Sequence, residues 1–219
     1  MKIIYLDKYI AVCEKSHGEL SEGSEKNCIP TLLSQALLAE GEQNTSVFPV
    51  HRLDKDTSGL IVLARTPETA AALSKSIVEG ELEKEYLAVL CGAPNSNEDT
   101  LTDLLFYDRS RSKSFIVDRQ RNGVKKAILD YKTLDEKNGL VLVQIKLRTG
   151  RTHQIRAQFS HRGLPVFGDR RYGAPKNECK GIALLSFKLC FPHPKDKRRL
   201  EFSASIPTGE PWSDFGINQ

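Results

Sequence analysis

Long apolar runs are missing from this chain of 219 residues. Stretches such as Gly59-Leu60-Ile61-Val62-Leu63-Ala64 fall far short of the roughly 20 apolar residues that a membrane-spanning helix requires. The N-terminus, with Asp7 soon after Met1, has no signal-peptide core. A protein without membrane contact, placed in the cytoplasm, is therefore expected. Cysteine is scarce as well. Cys13, Cys28, Cys91, Cys179 and Cys190 form an odd set with no Cys-x-x-Cys pair, which argues against a disulfide framework and against a structural zinc site. These thiols are expected to be reduced and mostly buried. Internal repeats, low-complexity tracts and a Gly/Ser/Pro-rich linker are also lacking, so one domain over residues 1–219 is the simplest organisation.

What is present suits a globular protein with a substantial core: 39% of residues are hydrophobic and the net charge is only +4. That charge does not by itself identify a nucleic-acid partner. Its distribution is more informative. Arg109, Arg111, Lys113, Arg119, Arg121, Lys125 and Lys126 enclose one acid, Asp118, and Arg148, Arg151, Arg156, Arg162, Arg170 and Arg171 follow with Asp169 as the acid nearby. Glu14, Glu19, Glu22, Glu25, Glu40 and Glu42 crowd the first half. Such asymmetry fits one phosphate-facing side and one solvated side, and equally an ordinary mixed surface.

The chain reads as a mixture of many strands and few helices, hence α+β. Short strands are predicted at Ile3-Ile4-Tyr5 and Ile10-Ala11-Val12-Cys13, and a glycine-stopped helix from Pro30 to Gly41. A second helix is signalled by Thr66 as N-cap, Pro67 at the first helical position, and Gly80 past the end. Tyr86-Leu87-Ala88-Val89-Leu90 and Leu140 to Leu147 are β-rich, and the latter is continuous enough to be interior to a sheet. Ala183-Leu184-Leu185 with Leu189-Cys190-Phe191 supplies a further strand. Ile155 and Phe159, four apart, predict a helix from Thr152 to His161 stopped by Gly163. The segment His51-Arg52-Leu53-Asp54-Lys55-Asp56-Thr57-Ser58-Gly59 connects extended pieces, where sites are commonly built.

Taken from the residues alone, the chemistry-bearing positions each admit two readings. Asp54 is either a turn carboxylate, in the ordinary turn composition Asp-x-x-Thr-Ser-Gly, or a nucleophile or base that is already ionised at neutral pH. Arg156 is either a surface charge or a partly desolvated guanidinium at the border of a buried helix face. Tyr86 is a core aromatic or a stacking platform. Arg52 is a solvated charge or a substrate contact. His51 and His153 lack the carboxylate spacing of a metal site, so structural or RNA-contacting roles fit them better.

The Arg52-Leu53-Asp54 segment, the Lys84-Glu85-Tyr86 segment and Gly150-Arg151-Thr152-His153-Gln154-Ile155-Arg156 together resemble the RluA-like family of pseudouridine synthases, in the family's order and spacing, from about Ile3 to Pro207. The resemblance implies a catalytic fold with a mixed, largely antiparallel sheet, flanking helices and a central basic cleft. It implies isomerisation of uridine in structured RNA, ribosomal or transfer, without cofactor or metal. Asp54 would be the essential aspartate, opening the reaction by covalent attack or by removing a ribose proton. Arg156 would pair with Asp54 and aim it, and Tyr86 would stack on the target base. Arg52 would fill the gap left by the flipped base, and Arg151, His153 and Leu184 would complete the substrate contacts.

The chain departs from the family pattern in places. Lys-Pro-x-Gly is Lys15-Ser16-His17-Gly18, and Leu-His-Ala is Leu184-Leu185-Ser186. No small RNA-binding domain is read in front of the catalytic part, so RNA affinity is expected to come from the basic face, and the enzyme is expected to act as a monomer. Two other classes compete. A non-catalytic RNA-binding module for ribosome assembly would use the same arginines but not Asp54. A metal-dependent phosphodiesterase built on His51, Asp54 and Asp56 would need a further clustered carboxylate.

Overall fold

In a computed structural model, which describes residues 1–176 and 181–216, the chain forms two compact units. One comprises Met1–Lys84 with Leu185–Ser205, the other Glu85–Leu184 with Ile206–Gln219. Cys179 lies outside the described residues; Cys13, Cys28 and Cys190 are free and buried, and Cys91 is free and half-buried.

The first unit is organised around β4 (Ser58–Ala64), whose unbroken apolar run is buried from Gly59 onward. Along one side it pairs antiparallel with β2 (Ile10–Lys15), which in turn pairs with β1 (Lys2–Leu6). On its other side lie β3 (Phe48–Pro49), antiparallel, and β10 (Leu184–Pro192), parallel. β11 (Arg199–Ser203) closes the edge against β10. α2 (Pro67–Val78) packs against β4 and buries Leu73, and α1 (Ile29–Ala39) buries Ile29, Leu33 and Leu37. α2 begins as its sequence predicts: the Thr66 hydroxyl accepts the Thr69 N–H at 3.2 Å and Pro67 follows in the first turn.

Gly59 is where β4 and β10 come closest. Its φ of +106° and a Ser186 carbonyl 2.3 Å from where a Cβ would stand leave room for no side chain. Ser186, wholly buried beside it, donates its hydroxyl to the Leu60 carbonyl at 3.0 Å. A small hydroxyl residue at this position is thereby accounted for.

The second unit is an antiparallel sheet in the order β5 (Glu83–Leu90), β9 (Leu140–Leu147), β8 (Val124–Lys137), β6 (Glu98–Asp108), β7 (Lys113–Ile116). β9 is interior to this run, as its continuous apolar sequence predicts. The helix α3 (Gln154–His161) packs on one face through Ile155, Ala157 and Phe159, with Phe159 edge-on to Tyr131 at 5.4 Å. α3 begins two residues later than expected because His153, at φ 52°, is left-handed and cannot join the helix. Among the described residues, no helix is long and apolar enough to cross a membrane.

Candidate active site

The Asp54 segment of the first unit is a loop between β3 and β4, tied down mainly through its backbone. The Thr57 N–H bonds the Asp54 carbonyl at 3.0 Å, and Gly18 N–H bonds that of Lys55 at 2.9 Å. The Ser21 hydroxyl donates to the Leu53 carbonyl and accepts the Leu53 N–H, both at 2.9 Å. Leu53, buried between the two polar neighbours Arg52 and Asp54, anchors the loop in the core. His51 closes it at the other end: its Nε2 accepts the Val62 N–H at 3.1 Å, so the ring proton sits on Nδ1. Burial, with the Lys84 charge adding to it, pushes the His51 pKa down to about 3. The ring is neutral and structural, and its Nε2 is not open for a metal.

The strongest clamp is Lys15. Its side chain is 1% exposed, and its ammonium donates to the carbonyls of Thr57 at 2.7 Å and of Lys55 and Ser16 at 3.1 Å each. Three donors meet three acceptors, which only the protonated amine can supply. Burial lowers its pKa to about 8, against the opposing pull of Glu19, Asp54 and Asp56. The Asp54 carboxylate therefore lies within electrostatic reach of a buried cation.

This has a measurable pH consequence. Between about pH 8 and 10.5 the unfolded chain holds a proton on Lys15 that the folded chain has released, so folding stability gains from this group as pH rises through that window. Comparing urea unfolding of the natural protein with Lys15→Met, the natural protein should gain on the order of 2 kcal/mol relative to the variant between pH 8 and pH 10, while groups such as Cys13 and Lys84 shift both curves alike. Parallel pH curves for the two proteins would show that Lys15 is not desolvated as described.

In the second unit, Arg156 is the centre. It is 2% exposed, and its guanidinium forms a fork on Asp169, Nε to Oδ2 at 2.6 Å and Nη2 to Oδ1 at 2.9 Å. The Tyr172 ring lies 5.0 Å from the same guanidinium. Tyr172 is itself fixed, its hydroxyl accepting the Ser114 N–H at 2.8 Å and meeting His153 Nδ1 at 3.0 Å. Asp169 precedes and Tyr172 ends a short 3-10 turn, Arg170–Tyr172, in a segment bounded by Gly168 and Gly173, both at positive φ. The left-handed turn at His153 aims its ring at Tyr172 and stands edge-on to Tyr107 at 6.0 Å. Arg151 Nε donates to the Lys126 carbonyl at 3.0 Å.

The residues expected to form the site thus fall into two groups. Arg52 and Asp54 stand together in the first unit, with Arg52 exposed and paired to Glu22 at 2.8 Å. Arg151, His153 and Arg156 stand together in the second, which also holds Tyr86, buried on β5 opposite Ile145, and Leu184, buried at the start of β10. Arg156 is not at the border of the buried face, as its helix pattern suggests, but wholly inside. The pairing of Arg156 with Asp54 expected from the resemblance joins residues of the two units and belongs to the proposal below. Sequence reasoning missed Lys15, Asp169 and Tyr172. A single acid inside the basic run Gly168-Asp169-Arg170-Arg171-Tyr172-Gly173 was the available signal for the second and third. For Lys15 the signal was the loosened Lys-Pro-x-Gly segment, Lys15-Ser16-His17-Gly18, which was read only as a departure.

Comparison with known proteins agrees with this architecture. The family described as RNA pseudouridylate synthase matches residues 9–161. YlyB of Bacillus subtilis, called an uncharacterized RNA pseudouridine synthase, is 30% identical over 214 residues, 94% of this chain and 69% of its own length. Ribosomal large subunit pseudouridine synthase D of Xanthomonas campestris is 31% identical over 225 residues, 94% of this chain and 66% of its own. The chain thus spans about two thirds of these relatives. The solved structure of human RNA pseudouridylate synthase domain containing 4 shares the fold, with a TM-score of 0.78 and 22% identity over 94% of this chain and 88% of that one.

The chain belongs to the RNA pseudouridylate synthase family, of RluA-like type. It is an isomerase that forms pseudouridine in RNA, and the non-catalytic alternative is not favoured.

Proposed function

We propose that the chain, acting as a single functional domain and a cytoplasmic monomer without cofactor, isomerises a specific uridine of ribosomal RNA. Asp54 opens the reaction, Arg156 pairs with it and aims it, and Tyr86 stacks on the uracil. Arg52, Arg151, His153 and Leu184 hold the flanking nucleotide and the base. The observation that carries the reading is the degree to which the structure immobilises both ends of the proposed pair. Asp54 sits in a loop gripped by Lys15, and Arg156 is locked by Asp169 and Tyr172. Groups fixed before the substrate arrives gain their catalytic advantage from positioning. Ribosomal RNA as the substrate is supported by relatives named ribosomal large subunit pseudouridine synthase D in Xanthomonas, Borreliella and Neisseria.

The test is a pseudouridine map of total RNA from cells with and without the gene. One or a few sites in large-subunit ribosomal RNA are expected to vanish in the deletion and return with the natural gene. Vanished sites confined to transfer RNA would move the substrate assignment there.

A further inference from the structure

The outer face of the β6–β7–β8 end of the second unit carries a group of side chains that the fold does not use. Register assigns the faces. Leu105 lies opposite Ile116 and packs with it into the cluster of Ala127, Ala157 and Tyr172 beneath α3. Alternation then turns Phe106 and its partner Phe115 to the opposite side, where both remain half-buried. Neither ring is merely left over. Phe106 has Gly123 against its edge, where a Cβ would stand 3.3 Å away, and the Arg121 guanidinium 4.8 Å from its centroid. Arg111 and Lys113 approach Phe115 at 5.9 and 5.5 Å.

The surrounding charge is not neutralised. Arg109, Arg119, Arg121 and Lys126 are all exposed, and none forms an ion pair among the described residues. Lys113 and Arg111 differ: the first donates to the Arg171 carbonyl at 2.6 Å and the second lies 3.6 Å from Asp108. A surface that presents pre-ordered guanidinium-on-ring layers beside unpaired cations suits a polyanion whose bases are free to stack. A duplex would engage the cations only, since its bases are stacked on each other.

We propose that this face is a second RNA-binding surface, holding an unpaired stretch of the substrate at a distance from the target uridine. Bases stack on the Arg121–Phe106 and Phe115 platforms, and phosphates meet Arg109, Arg119 and Lys126, which lies opposite Leu104 and so on the Phe106 face. The proposal rests on the protein's activity on RNA and names the form of RNA that the surface selects.

The experiment compares Phe106→Leu/Phe115→Leu and, separately, the exposed-site variant Arg121→Gln with the natural protein. The probes are an oligouridylate of roughly a dozen residues and its duplex with oligoadenylate. The double variant should bind the single strand about tenfold more weakly and the duplex within about twofold, while Arg121→Gln weakens the single strand and flattens its salt dependence. Turnover at saturating ribosomal RNA should be unchanged, with KM raised. Cross-links from 4-thiouridine should fall on peptides that carry Phe106 or Phe115. Equal losses on both probes, no loss in Arg121→Gln, or cross-links confined to other segments would overturn the proposal. Pseudouridine formation by the natural protein, measured alongside, keeps the two readings apart. If it is absent while single-strand binding depends on the rings, the substrate assignment fails and the surface stands.

Discussion

Asp54→Asn is expected to lower pseudouridine formation by at least ~10³-fold while changing RNA affinity by under about 1 kcal/mol. Asparagine preserves size and most local packing but carries no negative charge, so it can neither attack as a carboxylate nor take a proton. The loop should keep its shape. It is held by the carbonyls of Leu53, Asp54, Lys55 and Thr57 and by the Leu53 N–H, backbone bonds that the substitution leaves in place. Single-turnover isomerisation of ribosomal RNA, with binding measured in parallel, separates the two effects. Isomerisation within tenfold of the natural rate would remove Asp54 from the chemistry. Loss of binding to the same extent as turnover would make Asp54 a substrate contact only.

Asp169→Ala should be the most damaging change to stability in the second unit, costing about 3 to 5 kcal/mol. The substitution takes two charge-assisted hydrogen bonds from a guanidinium that is 2% exposed, in a place where water does not replace them. The Asp169 backbone carbonyl, which accepts the Tyr172 N–H at 3.0 Å, is kept in the alanine variant, so the loss reports on the fork itself. Urea unfolding gives the cost, and activity at a temperature where the variant is still folded gives the positioning effect. A loss below about 1 kcal/mol would mean that the fork is worth no more than an exposed ion pair. Asp169→Asn, which keeps one acceptor oxygen, should fall between the natural protein and the alanine variant.

Much of the scaffold was legible in the sequence, for local reasons. Thr66 followed by Pro67 fixed the start of α2 because a hydroxyl acceptor and a preset φ act within one turn. The unbroken run Leu140–Leu147 announced an interior strand, and β9 is paired on both edges with Val141, Leu142, Val143 and Ile145 buried. The family, too, was legible, since its three short motifs keep their order along the chain.

The region from Glu98 to Lys137 was not read as strands. It is interrupted by charge after charge, Lys125 and Lys126 side by side among them, and one face is filled by α3 and Tyr172. Alternation of burial there is set by what packs on the sheet, and composition does not record it. The same holds for the buried polar groups. α3 buries Gln154, Arg156 and Gln158, which helix periodicity alone would place at the surface or its border. They are inside because partners arrive from elsewhere: Asp169 for Arg156, Asp103 for Gln158 at 2.7 Å, Thr149 for Gln154 at 2.8 Å. Lys15 likewise is internal only because the Asp54 loop turns its carbonyls inward. The sequence by itself determined which elements form and which chemistry-bearing residues exist. Only the tertiary structure decided which charges are desolvated and what holds them, because the cost of burying a polar group is offset by partners that lie far away in the chain.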